Sequence, residues 1–264
     1  MSVSPKHALA VWHRNAAMYA RTWKWNLLPN FFEPVFYLMA VGIGVGAYIE
    51  RMGGMPYVQF LAPGLVCVAA MNGASYEVTY NVFVRLTFEK AYDAMLTTAI
   101  EPDDVLAGET LWALTRAAIY GGCFYLIVVL FGLAPLPSSL LAVPAALLAG
   151  LLFAAIGLAF SFHVETIDLF SFYFTLFLTP LFLFSDVFFP IDERLSPAWQ
   201  WVAELLPLLH PVRLARAAFR GHAQPLTAVW DVFYSLALSA ALLAVARHGA
   251  RRRLANYSPR DTIE

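Results

Sequence analysis

Six stretches of the chain are apolar over the length a helix needs to cross a bilayer: Leu27 to Ile49, Phe60 to Val82, Val105 to Phe131, Ser139 to Phe162, Leu169 to Phe189 and Leu226 to Ala246. A hydrocarbon core about 30 Å thick is crossed by roughly 20 helical residues, and a helix satisfies its own backbone donors and acceptors where there is no water. The pattern predicts an all-α integral membrane protein of six transmembrane helices, forming a single transmembrane domain over residues 1–264. Residues 1–26 lack a small-residue cleavage pattern after a short apolar core, so no signal peptide is expected.

The segments outside the spans have patterns of their own. In residues 1–26, Ala8, Trp12, Ala16, Tyr19 and Trp23 recur at three- and four-residue steps, opposite Lys6, Arg14, Arg21 and Lys24. This predicts an amphipathic helix on the cytoplasmic membrane surface, with Trp12, Tyr19 and Trp23 as headgroup-level anchors, turning into the bilayer near Pro29. The alternative is a soluble surface helix covering another domain. Residues 84–104 are the most polar stretch, with Arg85, Glu89, Lys90, Asp93, Glu101, Asp103 and Asp104. Within it Phe88, Tyr92, Met95 and Leu96 form an apolar stripe at helical spacing that Pro102 ends; it either docks into a partner's groove or packs on the chain's own spans.

Residues 190–225 are too long and too apolar for a solvated loop. Trp199, Trp201, Leu205, Leu206, Leu208 and Leu209, interrupted by Pro207 and Pro211, predict two helices that lie on or re-enter the outer face. Arg213, Arg216 and Arg220 align on one side of the second, either as snorkelling anchors or as contacts for lipid phosphates or an anionic substrate. Residues 247–264 form a basic tail.

Composition narrows the class. The chain is 60% hydrophobic and 13% charged, about half the charge of a soluble domain, which excludes a water-soluble globule. Lys plus Arg (17) nearly cancel Asp plus Glu (18), leaving no global field to attract nucleic acid. The distribution of basic residues orients the chain: eleven fall before the first span, after the second or after the sixth, against five on the opposing side, so both termini are expected in the cytoplasm. Cys67 and Cys123 lie in apolar runs without CxxC spacing or a paired histidine, so neither a disulfide nor a metal site is expected.

The three lysines, Lys6, Lys24 and Lys90, do not follow glycine, so the chain has no GxxxxGK[ST] phosphate loop, and an ATPase would have to be a partner. HExxH and GxSxG are also absent. Glu33, Asn72, Glu77, Glu109, Arg116, His163, Glu165, Asp168 and Asp186 lie in or at the ends of spans, where a charge requires a partner or water. Glu109 and Arg116 stand seven residues apart, too far to bond to each other, which predicts pairing with Glu33, Glu77 or another helix. Most of these groups read as structural links between helices. A proton-driven carrier, which would need carboxylates deeper in the spans, ranks second. The run FSFYFTLFLTPLFLFSDVFF supplies a lipid-facing or helix-packing aromatic surface, part of which is a candidate path lining.

Taken in order, these residues resemble the permease subunits of type-2 ABC exporters, especially the NodJ-like permeases of lipo-oligosaccharide and polysaccharide export. The likeness covers nearly the whole chain and rests on the Trp-rich start, NFFEPVFYLMAVGIGVGAYI, FLAPGLV, RLTFEKAYDAMLTTAIEPDDVLAGE and PLFLFSDVFFPID followed by LPLLHPVRLAR. It implies a permease dimer bound to two cytosolic ABC ATPase subunits that hold ATP and Mg, in the bacterial inner membrane, exporting an amphipathic glycolipid or lipid-linked saccharide. Drug efflux by the same architecture is the nearest rival. A coupling helix is implied within the cytoplasmic loop, with Arg85, Glu89, Lys90, Ala91, Asp93, Met95 and Leu96 in the coupling segment. Glu33 and Pro34 fall on the EP of the first span, and Pro190 and His210 in the external re-entrant region. Candidate path or substrate contacts are Glu33, Asn72, Glu77, Phe172, Phe177, Asp186 and His210. At Asp186 relatives commonly carry glycine.

Overall fold

A computed structural model describes residues 3–49, 51–191, 196–222 and 224–255. The amphipathic start and the first apolar stretch form one helix, α1 (Pro5–Ile43). The turn expected near Pro29 is not made: the helix continues through Pro29 and Pro34. A proline deletes one backbone bond, a local defect that packing offsets, and Ala8, Val11, Asn15 and Leu38 of α1 are buried. A two-residue hairpin, β1 (Arg51–Met52) and β2 (Met55–Pro56), follows, turned by Gly53 and Gly54 at positive φ.

Next come α2 (Tyr57–Tyr76), a π-helical turn (Glu77–Asn81) and α3 (Val82–Thr87), which together make one span-length segment. Lys90, at φ 49°, reverses the chain into the short α4 (Ala91–Leu96). Helix α5 (Pro102–Leu130) starts with proline in its first turn and a reciprocal capping box between Glu101 and Asp104. Helix α6 (Ala142–Ser161) follows a 3-10 turn. The fifth apolar run is α7 (Leu169–Phe172), a π-helical turn (Tyr173–Leu178) and α8 (Thr179–Phe184). Two helices occupy the next connection, α9 (Pro197–Ala203) and α10 (Leu209–Arg220), before α11 (Pro225–Ala255).

Four helical segments among the described residues are long and apolar enough to span a bilayer: Tyr57–Thr87, Pro102–Leu130, Ser138–Ser161 and Pro225–Leu254. The first and fifth expected spans correspond to shorter apolar helices, Phe31–Gly42 and Leu169–Phe184. The fifth stops before Phe189 because Asp186 takes a left-handed backbone, φ 60°. Helix α11 continues nine residues beyond the expected end at Ala246, which makes 247–255 helical; residues 256–264 of the tail lie outside the described residues.

Helix α2 is the central post, packed on α5, α6 and α10. Close approach is made possible by glycine: a Cβ on Gly73 would lie 2.9 Å from the Arg116 carbonyl of α5, and one on Gly108 would lie 2.6 Å from Val11 Cβ of α1. Small residues at such crossings are the usual way helices pack without a hydrophobic drive from water. Side-chain contacts to backbone carbonyls fix the directions: α2 and α5 run antiparallel, whereas α2 and α6 run the same way. Gln59 at the start of α2 reaches the Leu133 carbonyl after the end of α5, whereas Ser161 at the end of α6 donates to the Val78 carbonyl at 2.6 Å. The start of α1 and the end of α11 meet the start of α5: Asp104 accepts from the Ser4 backbone at 2.7 Å, and Asp103 accepts from Arg247 and Arg251. The beginning of the first helix and the end of the last therefore sit at the α4 end of the bundle.

Candidate functional site

Charge is concentrated at the two ends of α2. From Phe60, which touches one cluster, to Glu77 in the other is about 25 Å at 1.5 Å per residue, close to the thickness of a hydrocarbon core.

At the α4 end, Arg85 bridges two buried carboxylates. Its guanidinium donates to Glu109 Oε2 at 2.6 Å and to Glu77. Glu109 is fully buried and also accepts from Asn15 Nδ2 of α1 at 3.0 Å and from the Tyr92 hydroxyl of α4 at 2.9 Å. Glu77 accepts from Asn81 at 2.9 Å and lies 3.4 Å from Arg116 Nε. Arg116 in turn donates to the Tyr120 hydroxyl at 3.0 Å and lies over the Tyr19 ring. The π-helical turn at Glu77–Asn81 aims Glu77 and Asn81 into this cluster, as such turns often do at functional sites. Two arginines against two carboxylates balance the charge, as burial in a low-dielectric interior requires. Tyr92 ionises well above its ordinary range, because burial strips water from the phenolate and the Glu109 carboxylate repels it. It stays a hydrogen-bond donor.

Beyond Tyr120 lies a cavity of about 370 Å³ between α1, α2, α5 and the fifth apolar run. Glu33 and Asn72 line it, and neither makes a hydrogen bond to another described residue. The rest of the wall is largely aromatic, including Tyr37, Tyr76, Phe124, Phe174 and Phe182. Tyr76 and Phe174 stack with ring centres 4.6 Å apart. Rings flanked by a few polar groups suit an amphipathic ligand.

At the opposite end, Asp231 of α11 accepts from His210 Nδ1 at 2.8 Å and from Arg213 Nε at 3.0 Å. His210 is fully buried, stacks on Tyr234 at 3.9 Å, and its Nε2 meets the Glu204 carbonyl at 3.0 Å. Arg213 also pairs with Glu204. Arg216 is buried over the Phe60 ring, pairs with Asp186 and donates to the Asp186 carbonyl. Asp186 Oδ1 accepts from the Ile191 backbone at 2.9 Å. Aspartate visits the left-handed region more readily than most residues, so Asp186 suits its backbone at φ 60°.

The residues singled out from sequence thus separate into groups. Glu33 and Asn72 share the cavity; Glu77 joins the charge cluster one turn away; Phe172 and Phe177 fall outside the cavity wall, which uses Phe174 and Phe182 instead; Asp186 and His210 belong to the opposite end. Of the coupling residues, Arg85 sits inside the cluster, Glu89 meets Arg14 on the surface at 3.3 Å, and Lys90 is exposed. Asp93 is half-buried, and Met95 and Leu96 pack with Tyr92 on the chain's own core, leaving Phe88 exposed. Of the two readings of that stripe, packing on the chain's own spans holds for all but Phe88. Trp12 and Tyr19 lean on α5, with Trp12 Nε1 donating to Thr115 at 3.0 Å and Tyr19 edge-on to Trp112, while Trp23 is exposed. The aligned Arg213 and Arg216 are engaged by acidic residues. Arg194 and Arg260 lie outside the described residues.

Asn15, Tyr37, Tyr76 and Tyr120 gain site roles that the sequence pattern did not single out, and Tyr92, read only as part of an apolar stripe, gains a polar one. For Asn15 the available signal was an amide in the apolar face of the first helix, between Val11 and Tyr19.

Comparison with known proteins agrees with this architecture. The chain is 36% identical over 214 residues to Nodulation protein J of Rhizobium leguminosarum bv. trifolii, covering 81% of each chain. It is 35% identical over 218 residues to Nodulation protein J of Sinorhizobium fredii, covering 83% of each. It is 25% identical over 212 residues to the inner membrane transport permease YadH of Escherichia coli, 80% of this chain and 82% of the relative. Residues 6–219, from the first turn of α1 to the end of α10, match the family described as ABC-2 type transporter, and the chain belongs to that family.

Proposed function

We propose that this chain is the membrane subunit of an ATP-driven exporter that moves an amphipathic glycolipid, lipo-oligosaccharide or lipid-linked saccharide outward across a bacterial inner membrane. Two copies form the translocation unit, each crossing the membrane six times with both termini in the cytoplasm, and α9 and α10 re-enter from the outer face. The exposed apolar side chains Phe31, Phe32 and Phe36 on α1 and Leu176 and Phe184 on the fifth run support a lipid-facing or partner-facing surface there. ATP and Mg bind to two copies of a separate ATPase.

The observation that carries the reading is the route from α4 to the cavity. Helix α4 exposes Glu89, Lys90 and Ala94 at the end of the bundle while Tyr92 ties it to Glu109. Displacement of α4 by an ATPase pulls on Glu109, and through Arg85, Glu77, Arg116 and Tyr120 on the wall that holds Glu33 and Asn72. Aromatic rings then present sliding contacts to sugar faces and acyl chains, and the two unpaired polar groups orient the headgroup. The family match and the Nodulation protein J relatives support the permease part of this reading, and the aromatic cavity with its few polar groups supports an amphipathic cargo.

The test is co-expression with the partner ATPase, purification through a tag on this chain, and ATP hydrolysis with and without glycolipids. Co-purification with glycolipid-stimulated turnover is the expected result. A folded chain that retains no ATPase, or a complex indifferent to every amphiphile, refutes it. Charge swaps at Glu89 and Lys90 are expected to uncouple hydrolysis from transport while leaving insertion intact.

A further inference from the structure

A second cavity, of about 410 Å³, lies at the junction of α10 and α11, away from the aromatic one. Arg213, Arg216 and Arg220 face it with Asp186 and Asp231, and Glu204 just outside the wall adds a third carboxylate, so what sets the cavity apart is how these charges are paired. Arg213 is taken up by Asp231 and Glu204, and Arg216 by Asp186. The Arg220 guanidinium has no hydrogen bond or ion pair with any described residue. It leans toward the β1–β2 turn, where a Cβ on Gly53 would lie 3.1 Å from its Nη2. Arg216 is 4% exposed, and its Nε–H is buried without an acceptor among the described residues. One uncompensated guanidinium beside an unused buried donor is the arrangement that receives a single oxyanion.

What adjoins the cavity decides the kind of oxyanion. Leu214, Ala217, His222 and Ala228 also line a neighbouring groove of about 460 Å³, whose other walls include Leu141, Leu148 and Val232. The charged and apolar spaces thus share one wall. Trp230 stands exposed on α11, and Trp199 and Trp201 stand exposed on α9, the residue type that settles at headgroup level. A soluble phosphate would use the first space and leave the second idle; a lipid uses both.

We infer that the Arg220 cavity binds the phosphate of an anionic lipid whose acyl chain lies in the adjoining Leu141–Leu148 groove. The site is separate from the translocation cavity and stands whether or not the transport reading does, since it is read by binding alone. Arg220 and Arg216 hold the phosphate oxygens, and Gln224 and Thr227 at the cavity wall accompany the rest of the headgroup.

The purified full chain in a neutral detergent is titrated with dihexanoyl phosphatidylglycerol, dihexanoyl phosphatidylcholine and inorganic phosphate, and binding is followed by microscale thermophoresis. Phosphatidylglycerol is expected to bind saturably and more tightly than the other two. Arg220→Gln is expected to weaken it roughly tenfold, the loss of one charge-assisted contact, while Arg220→Lys retains most of the affinity. Gln224→Glu, which adds a carboxylate to the cavity without touching the arginines, is expected to weaken binding as well and carries the test if Arg220→Gln fails to elute as folded protein. Equal binding of phosphatidylcholine, or an Arg220→Gln or Gln224→Glu variant that binds as wild type, overturns the site. Inorganic phosphate binding as tightly as the lipid overturns the lipid assignment.

Discussion

Replacing Arg85 with methionine tests the central argument about the α4 end of the bundle. Arg85 is the cation bonded to Glu109, whose other partners, Asn15 and Tyr92, are neutral. Removing it leaves Glu109 as a fully buried carboxylate with no counter-charge among the described residues, and leaves Glu77 with the Asn81 amide and the 3.4 Å contact to Arg116. Stranding one member of a buried pair costs about 3–5 kcal/mol, whereas replacing both members by neutral groups is often close to neutral. Arg85→Met is therefore expected to lower the unfolding temperature of the purified chain sharply. Arg85→Met combined with Glu109→Gln is expected to recover most of the loss, because the glutamine amide still bonds Asn15 and Tyr92 without carrying charge. The assay is the retention of the monodisperse elution peak after heating in detergent; unfolding there is irreversible, so the comparison is the rank order of variants at a fixed heating rate. An Arg85→Met protein as heat-resistant as wild type, or a double variant no better than the single, would refute the buried-cluster reasoning.

Three further outcomes follow from the same geometry. Tyr92→Phe deletes one bond to a charged acceptor, about 1.5 kcal/mol, and is expected to leave insertion intact while lowering substrate-stimulated ATP hydrolysis in the complex. Because Tyr92 ionises above its ordinary value of 10.0 when folded, its hydroxyl supports stability fully below that pH and the support falls as pH rises past it; heat resistance measured across alkaline pH should show this decline in wild type and less of it in Tyr92→Phe. Asp186→Ala places a Cβ-bearing residue without a local acceptor at φ 60° and strands the buried Arg216, so it is expected to be more destabilising than Asp186→Asn, which keeps a side-chain acceptor and tolerates that backbone; equal loss in both would assign the whole cost to the lost charge and refute the backbone and acceptor contributions. Gly108→Val forces a side chain into Val11 and the Ala8 carbonyl, both under 3 Å from its Cβ, and is expected to cost about 1–3 kcal/mol by separating α1 from α5, visible as protease cleavage near the start of α1.

How much of the site was legible in sequence varies with the kind of signal. Glu33 and Asn72 stand out as polar letters in apolar spans, and both face the cavity. Phe172 and Phe177 stand out because the run around them is aromatic, yet a stretch where nearly every face is apolar carries no information about which face points inward. The π-helical turn at Tyr173–Leu178 shifts the register by one residue and brings Phe174 and Phe182 to the wall. Arg213, Arg216 and Arg220 look equivalent by spacing; what separates them is their partners, Asp231 and Glu204 for the first, Asp186 for the second and no described residue for the third, which come from other parts of the chain.

By itself the sequence determined that this is a helical membrane protein with an amphipathic start, a polar loop after the second apolar stretch and two short helices before the last one, because bilayer thickness and backbone hydrogen bonding translate directly into lengths of apolar residues. It also shows that this sequence carries no GxxxxGK[ST] phosphate loop, since that motif is contiguous and can be read directly. Only the tertiary structure decided that α1 runs unbroken through Pro29, that Tyr92, Asn15, Arg85 and Arg116 meet over two carboxylates, and that Arg220 alone of its row is unengaged among the described residues. Those outcomes depend on which helix faces lie against each other, and small-residue contacts such as Gly73 on Arg116 and Gly108 on Val11 set that only when distant parts of the chain come together.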